Sequence, residues 1–140
     1  MIVSPIGEIF LLSTYVDNRD GVANTHRLQK FSALGVNIWT FSQVSEGETK
    51  AMTMDTAGNF YISGYSDFDA FGSKQNNGSG SFIAKVSSTG SLASVLDMKA
   101  DKLNIFSMAT LPSGQILIGG SIAETAATPT TEDAFTGQMK

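Results

Sequence analysis

The 140-residue sequence predicts an all-β chain of short antiparallel strands, and three observations carry that expectation. Charged residues make up only 16% of the chain while Gly, Ser, Thr and Asn are plentiful, a balance that suits strands and turns rather than helices. No segment sustains a 3.6-residue apolar period with capping residues at its ends. A unit made of a glycine turn and a short apolar strand occurs three times, at Gly7, Gly58 and Gly114, spaced by 51 and 56 residues.

Aligning those glycines also brings Met1, Met52 and Met108 into register. The strands that follow read "EIFLLS", "NFYISG" and "QILIGG", so Ile9, Phe60 and Ile116 correspond, as do Leu11, Ile62 and Ile118. The intervening Phe10, Tyr61 and Leu117 are large and apolar too. Such strands are expected to be buried on both faces, which implies sheets stacked on sheets. Ser13, Gly64 and Gly120 leave a small residue where another chain segment approaches closely. Downstream, "RLQKFSALG" (27–35) matches "FIAKVSSTG" (82–90), setting Lys30 on Lys85 and Gly35 on Gly90, and a third copy starts at "FTGQMK" (135–140). Each is followed by a further strand, "VNIWTF" or "SLASVL", and "ETKAMTM" or "KLNIFSMAT" then leads back to the next glycine turn.

About four strands in a unit of roughly 50 residues fit a β-propeller blade better than other repeat architectures. The repeats are placed at 1–51, 52–107 and 108–140, the last one partial. Two and a half to three blades leave open sheet edges. The ring is therefore expected to be completed by other copies of the chain or by the remaining blades of a longer parent.

These residues resemble the bacterial-type SBBP β-propeller repeat family. "DTAGNFYISGYS" (55–66) matches the first part of its pattern, and "SDF" (66–68) and "GSFIAKVSSTG" (80–90) follow in order. "DAF" (133–135) matches in the third copy, although Gln138 replaces the lysine there. Trp39 stands four residues after Gly35 as the pattern requires, while Ser94 replaces it in the second copy. The first copy departs most, because "SPIGEIFLLST" lacks the Asp and the Asn. The resemblance implies an extracellular or cell-surface setting and no catalytic residues. Within the repeat, Gly58 suits a turn with positive φ, Asp55 accepts turn N–H groups, and Asn59 helps close the loop. Tyr61 and Trp39 offer large packing area with a polar tip.

Composition excludes several function classes. A net charge of −4, with the basic residues scattered from Arg19 to Lys140, gives no footprint for nucleic acid. The chain has no cysteine, so disulfides and thiolate chemistry are absent. The apolar run "IFLLS" is too short to span a bilayer, and no charged segment before it marks a signal peptide. A cytoplasmic protein and a processed or partial product both fit that absence. His26 is the single histidine, which rules out a two-histidine metal site within one chain, and its place before the Leu28 strand predicts a loop or strand-edge residue. "DNRDG" (17–21) lacks the alternating oxygen ligands of a calcium loop and reads as a turn.

The loop "DFDAFGSKQNNGSGS" (67–81) is the one candidate partner-binding site, through Asp67, Phe68, Asp69 and Phe71, with Asp67 and Asp69 suited to a cation or Phe68 and Phe71 to a partner. The plainer alternative is that Phe68 anchors the loop onto its blade. Asn77 begins an "NGS" sequon that matters only in a eukaryotic secretory setting. Glu46 with Glu48, and Glu132 with Asp133, read as solvated turns, and "ATPTTED" (127–133) as a surface loop. Two functions compete: a non-catalytic binding or scaffolding module, and part of a propeller enzyme with its site on the central axis. Only Glu8 and Asp55 stand near the strand starts, with Leu111 in the third place, which favours the first. No catalytic, cofactor or metal residue is assigned.

Overall fold

The computed structural model describes residues 1–16, 24–45, 47–66, 80–98, 103–123 and 132–139. Among them there is no helix. The strands are β1 (Ile2–Val3), β2 (Ile9–Val16), β3 (Asn24–Phe31), β4 (Asn37–Ser45), β5 (Glu48–Met54), β6 (Phe60–Ser66), β7 (Gly80–Val86), β8 (Leu92–Met98), β9 (Leu103–Thr110), β10 (Ile116–Ala123) and β11 (Glu132–Met139). They form three antiparallel meanders: β1-β2-β3-β4, β5-β6-β7-β8 and β9-β10-β11. We call these the first, second and third sheets.

Five hairpin loops share one construction. In residues 4–7, 32–35, 55–58, 87–90 and 111–114 the closing glycine has φ between 79° and 84°, which L side chains rarely adopt. Its N–H donates to the carbonyl of the first loop residue, and that residue's own N–H donates to the carbonyl just beyond the glycine, all at 2.8–3.0 Å. At Ser4, Ser32, Asp55 and Ser87 a side-chain oxygen also accepts the N–H four residues on. Leu111 has no oxygen to offer, and its loop closes on backbone bonds alone.

Cross-strand register sets similar pairs in the three sheets. Phe10 lies opposite Lys30, Tyr61 opposite Lys85, and Leu117 opposite Gln138. Lys30 in turn faces Trp39, and Lys85 faces Ser94. The strand preceding each glycine turn belongs to the sheet that the turn opens, so the divisions at 51/52 and 107/108 fall inside β5 and β9.

The second sheet lies between the other two. Side chains alternate across a strand, and on one face Phe60, Ile62, Phe82, Ala84 and Val86 pack with Phe10, Leu28 and Phe41 of the first sheet. On the other face Ile83, with Tyr61 and Met98 beside it, packs with Leu103, Ile105, Ile116 and Ile118 of the third. Burial of one such large side chain contributes about 1.5–3 kcal/mol, so these two clusters hold the stack together. Trp39 reaches across as well: its ring stands edge-on to Phe60 at 6.0 Å and lies over Gly90, where a Cβ would come within 3.0 Å of it.

Burial on both faces holds for β6 and β7 but not for β2. On the far face of the first sheet Val3, Leu11, Tyr15 and Val44 are exposed, because the described residues place no sheet there. His26 also departs from expectation. It lies inside β3 and is buried, since its position alternates with Leu28 toward the second sheet, and its Nδ1 is 3.2 Å from the Thr14 hydroxyl. Glu132 and Asp133 begin β11 rather than forming a turn.

Candidate functional site

The polar groups of the stack gather along the first strands of the sheets, where β5 lies beside β9 and close to β2. The hydroxyls of Thr14 and Thr49 are 2.9 Å apart and join the first sheet to the second. Those of Thr53 and Thr110, 3.0 Å apart, join the second to the third, and at the other end of β9 Ser81 Oγ donates to the Leu103 carbonyl. These links satisfy polar groups where the apolar clusters end.

Two adjoining clefts open here. One, of about 430 Å³, runs between β2 and β5 and is lined by Met1, Leu12, Ser13, Thr14, Val16 and residues 48–52. The other, of about 360 Å³, is lined by Asn24, Gly47, Glu48, Lys50, Tyr65 and Asn104. Asn24 Nδ2 donates to the Gly47 carbonyl at its wall. Glu48 and Lys50 line both clefts and pair with each other. The Lys50 hydrogen bond, and then its charge, hold the Glu48 carboxyl below the ordinary value. Such a group is ionised at neutral pH, the opposite of what a general acid needs. What the lining can do is hydrogen-bond a polar ligand or an extended backbone.

The two acids noted near the strand starts are engaged by their own turns. Burial pushes the Asp55 carboxyl up, but hydrogen bonds from the Asn59 side chain and from the Asn59 and Ala57 N–H groups, with the charge of Lys85, bring it below the usual value. The bonds measure 2.9 Å from Asn59 Nδ2, 2.8 Å from Asn59 N and 3.0 Å from Ala57 N. Lys85 lies 5.2 Å from the centre of the Tyr61 ring. The Tyr61 hydroxyl, and after it the Asp55 carboxylate, raise the Lys85 ammonium against the effect of burial. The first sheet repeats the arrangement with other residues: Lys30 pairs with Glu8 at 2.9 Å and stands 5.5 Å from the centre of the Phe10 ring.

Asp67, Phe68, Asp69 and Phe71 lie outside the described residues, as do residues 17–21, Glu46 and Asn77. Among the described residues no three of His, Asp or Glu gather as metal ligands would, and no helix is long and apolar enough to cross a membrane. The clefts have no motif in the sequence. No protein-family model matches this chain, and no curated protein is similar to it.

Proposed function

We propose that this chain is a run of SBBP-type β-propeller blades acting as a non-catalytic module, which binds protein or glycan partners or serves as a scaffold at or outside the cell surface. The stacking of the sheets carries the reading. Ile62 and Ile118 occupy one repeat position and are buried against the preceding sheet, and Leu11, at the same position in the first sheet, is exposed. A stack whose internal faces are equivalent, and whose first face is apolar and open, is built to receive another sheet. Other copies of the chain, or further blades of a longer parent, complete the ring. The carboxylates near the strand starts support a non-catalytic role, since each is occupied by a turn or a lysine.

Light scattering after size exclusion, with far-UV circular dichroism, tests the ring. The expected result is a β-rich chain that associates into defined oligomers, or one that needs additional repeats fused to it before it stays soluble. A β-rich monomer of 14.8 kDa, stable and soluble at high concentration, would refute the reading.

A further inference from the structure

The smaller cleft draws its walls from all three sheets. Asn24 comes from the first, Glu48, Lys50 and Tyr65 from the second with Gly47 just before β5, and Asn104 from the third. Two backbone devices shape it. Gly47, with a φ of 117°, brings the chain hard against the end of β6, where a Cβ would collide with the Tyr65 carbonyl oxygen and the Ser66 Cα. The register of β5 then skips Lys50, because Thr49 lies opposite Gly64 and Ala51 opposite Ser63. Such a bulge re-aims the side chain it carries, and Lys50 pairs with Glu48 at the cleft. β9 skips Phe106 at the same repeat position, and Asn104 faces Ser121 where Glu48 faces Tyr65. The bulge recurs, while the acid, the cation and the phenol ring belong to the second sheet. Glu48 and Lys50 are exposed and take no part in either apolar cluster, so packing does not require them.

We propose that this cleft binds a neutral carbohydrate, a short saccharide of a glycan. The inference rests on the binding role proposed above and names its ligand. The ionised Glu48 carboxylate only accepts hydrogen bonds, and the Lys50 ammonium only donates them. A sugar hydroxyl does both, so neighbouring hydroxyls satisfy the two groups without parting them. A charged ligand has to break the pair, because an anion is repelled by Glu48 and an amine by Lys50. Asn104 adds an amide, which donates and accepts in one group, and Tyr65 adds an aromatic ring with a polar tip. An extended peptide instead draws its affinity from main-chain hydrogen bonds, and the Gly47 carbonyl at the wall is already taken by Asn24. At about 360 Å³ the cleft lies near the lower end of small-ligand sites, about 300–1,000 Å³, which suits a short saccharide.

The test titrates the isotope-labelled whole chain, in whichever soluble form light scattering finds, with maltose, cellobiose, lactose and diacetylchitobiose, and with triglycine as a peptide control. At least one sugar is expected to shift the amide signals of residues 47–50, 65 and 104 saturably at millimolar concentration. Glu48→Ala and Lys50→Ala change exposed side chains and should leave the circular dichroism spectrum unaltered. Each should nevertheless weaken that sugar about tenfold by removing a charged hydrogen-bond partner. No saturable shift with any of the sugars, shifts confined to other residues, wild-type affinity in either variant, or a stronger response to triglycine would each overturn the proposal. A failure of ring closure leaves this binding test standing, and a failure here leaves the ring untouched, so the two outcomes are separable.

Discussion

A methyl group at Gly64 probes the junction of β5, β6 and β7 with one atom. The Cβ of Gly64→Ala would stand 2.1 Å from the Glu48 carbonyl oxygen and 2.8 and 2.9 Å from two ring carbons of Phe82. Ordinary contacts between such atoms are about 3.5 Å. The β5 carbonyl must retreat by about 1 Å, enough to break one or two ladder hydrogen bonds worth about 1 kcal/mol each. Phe82 is fully buried, so it moves only by overpacking its neighbours, at about 1–3 kcal/mol. Together these give about 2–5 kcal/mol. Gly114→Ala is the control, because its φ is +82° and a Cβ there meets nothing within 4 Å. Only left-handed backbone strain remains, about 1–2 kcal/mol. At roughly 4 °C per kcal/mol for a chain of this size, Tm should fall by about 8–20 °C for Gly64→Ala and by about 4–8 °C for Gly114→Ala. Thermal melts followed by circular dichroism read both. Equal shifts, or a larger one for Gly114→Ala, would refute the packing described for this junction.

Trp39→Ala removes a ring that spans the first two sheets and should lower stability by about 2 kcal/mol, read as a lower urea midpoint at unchanged slope; an unchanged midpoint would mean the ring adds nothing to the stack. Asp55→Ala should cost about 1–2 kcal/mol at neutral pH through its lost turn bonds. The Asp55 carboxyl lies below 3.8 in the folded chain, so that stability is present above 3.8 and fades as pH falls through the lower folded value. Wild type and variant should therefore converge in strong acid, and a gap that persists there would place the effect outside the ionised carboxylate. Thr53→Val and Thr110→Val together form a double-mutant cycle, with an expected coupling of about 0.5–1 kcal/mol; zero coupling would remove this hydroxyl pair from the links between the second and third sheets.

Much of this architecture is legible because the hairpin loops carry their own chemistry. A glycine at the left-handed position, with Ser or Asp three residues earlier, marks four of the five described loops, and Leu111 is the exception. Aligning on those glycines sets the correct strand pairing, down to Lys30 and Lys85 opposite their aromatic partners. What stays hidden depends on neighbours rather than on local sequence. "NTHRL" reads as polar and loop-like, yet His26 is buried because alternate β3 positions meet the second sheet. "EIFLLS" reads as doubly buried, yet Leu11 is exposed because nothing in the sequence says which face of a sheet has a neighbour. Sheet boundaries were hidden for a different reason: a tandem repeat can be cut at any phase, and only hydrogen bonding shows that β5 and β9 open their sheets.

The lysine, aromatic ring and acid of the first two sheets show how one arrangement is kept while its residues change. Glu8 follows its turn glycine while Asp55 begins its turn, so the acids come from different repeat positions, yet each serves the lysine opposite the equivalent aromatic residue. What recurs is an arrangement of charge on a ring, not a residue identity. The third sheet has Leu111 at the turn, Leu117 in the aromatic place and Gln138 opposite it, so all three members change together. That concerted change is what packing demands: a lysine over Leu117 would lose both the cation–π contact and the carboxylate that offset its desolvation. The acids closest to the strand starts are thus engaged within their own sheets. If the ring is completed as proposed, the next sheet packs on the open face of the first, where Leu11 and Val44 are exposed.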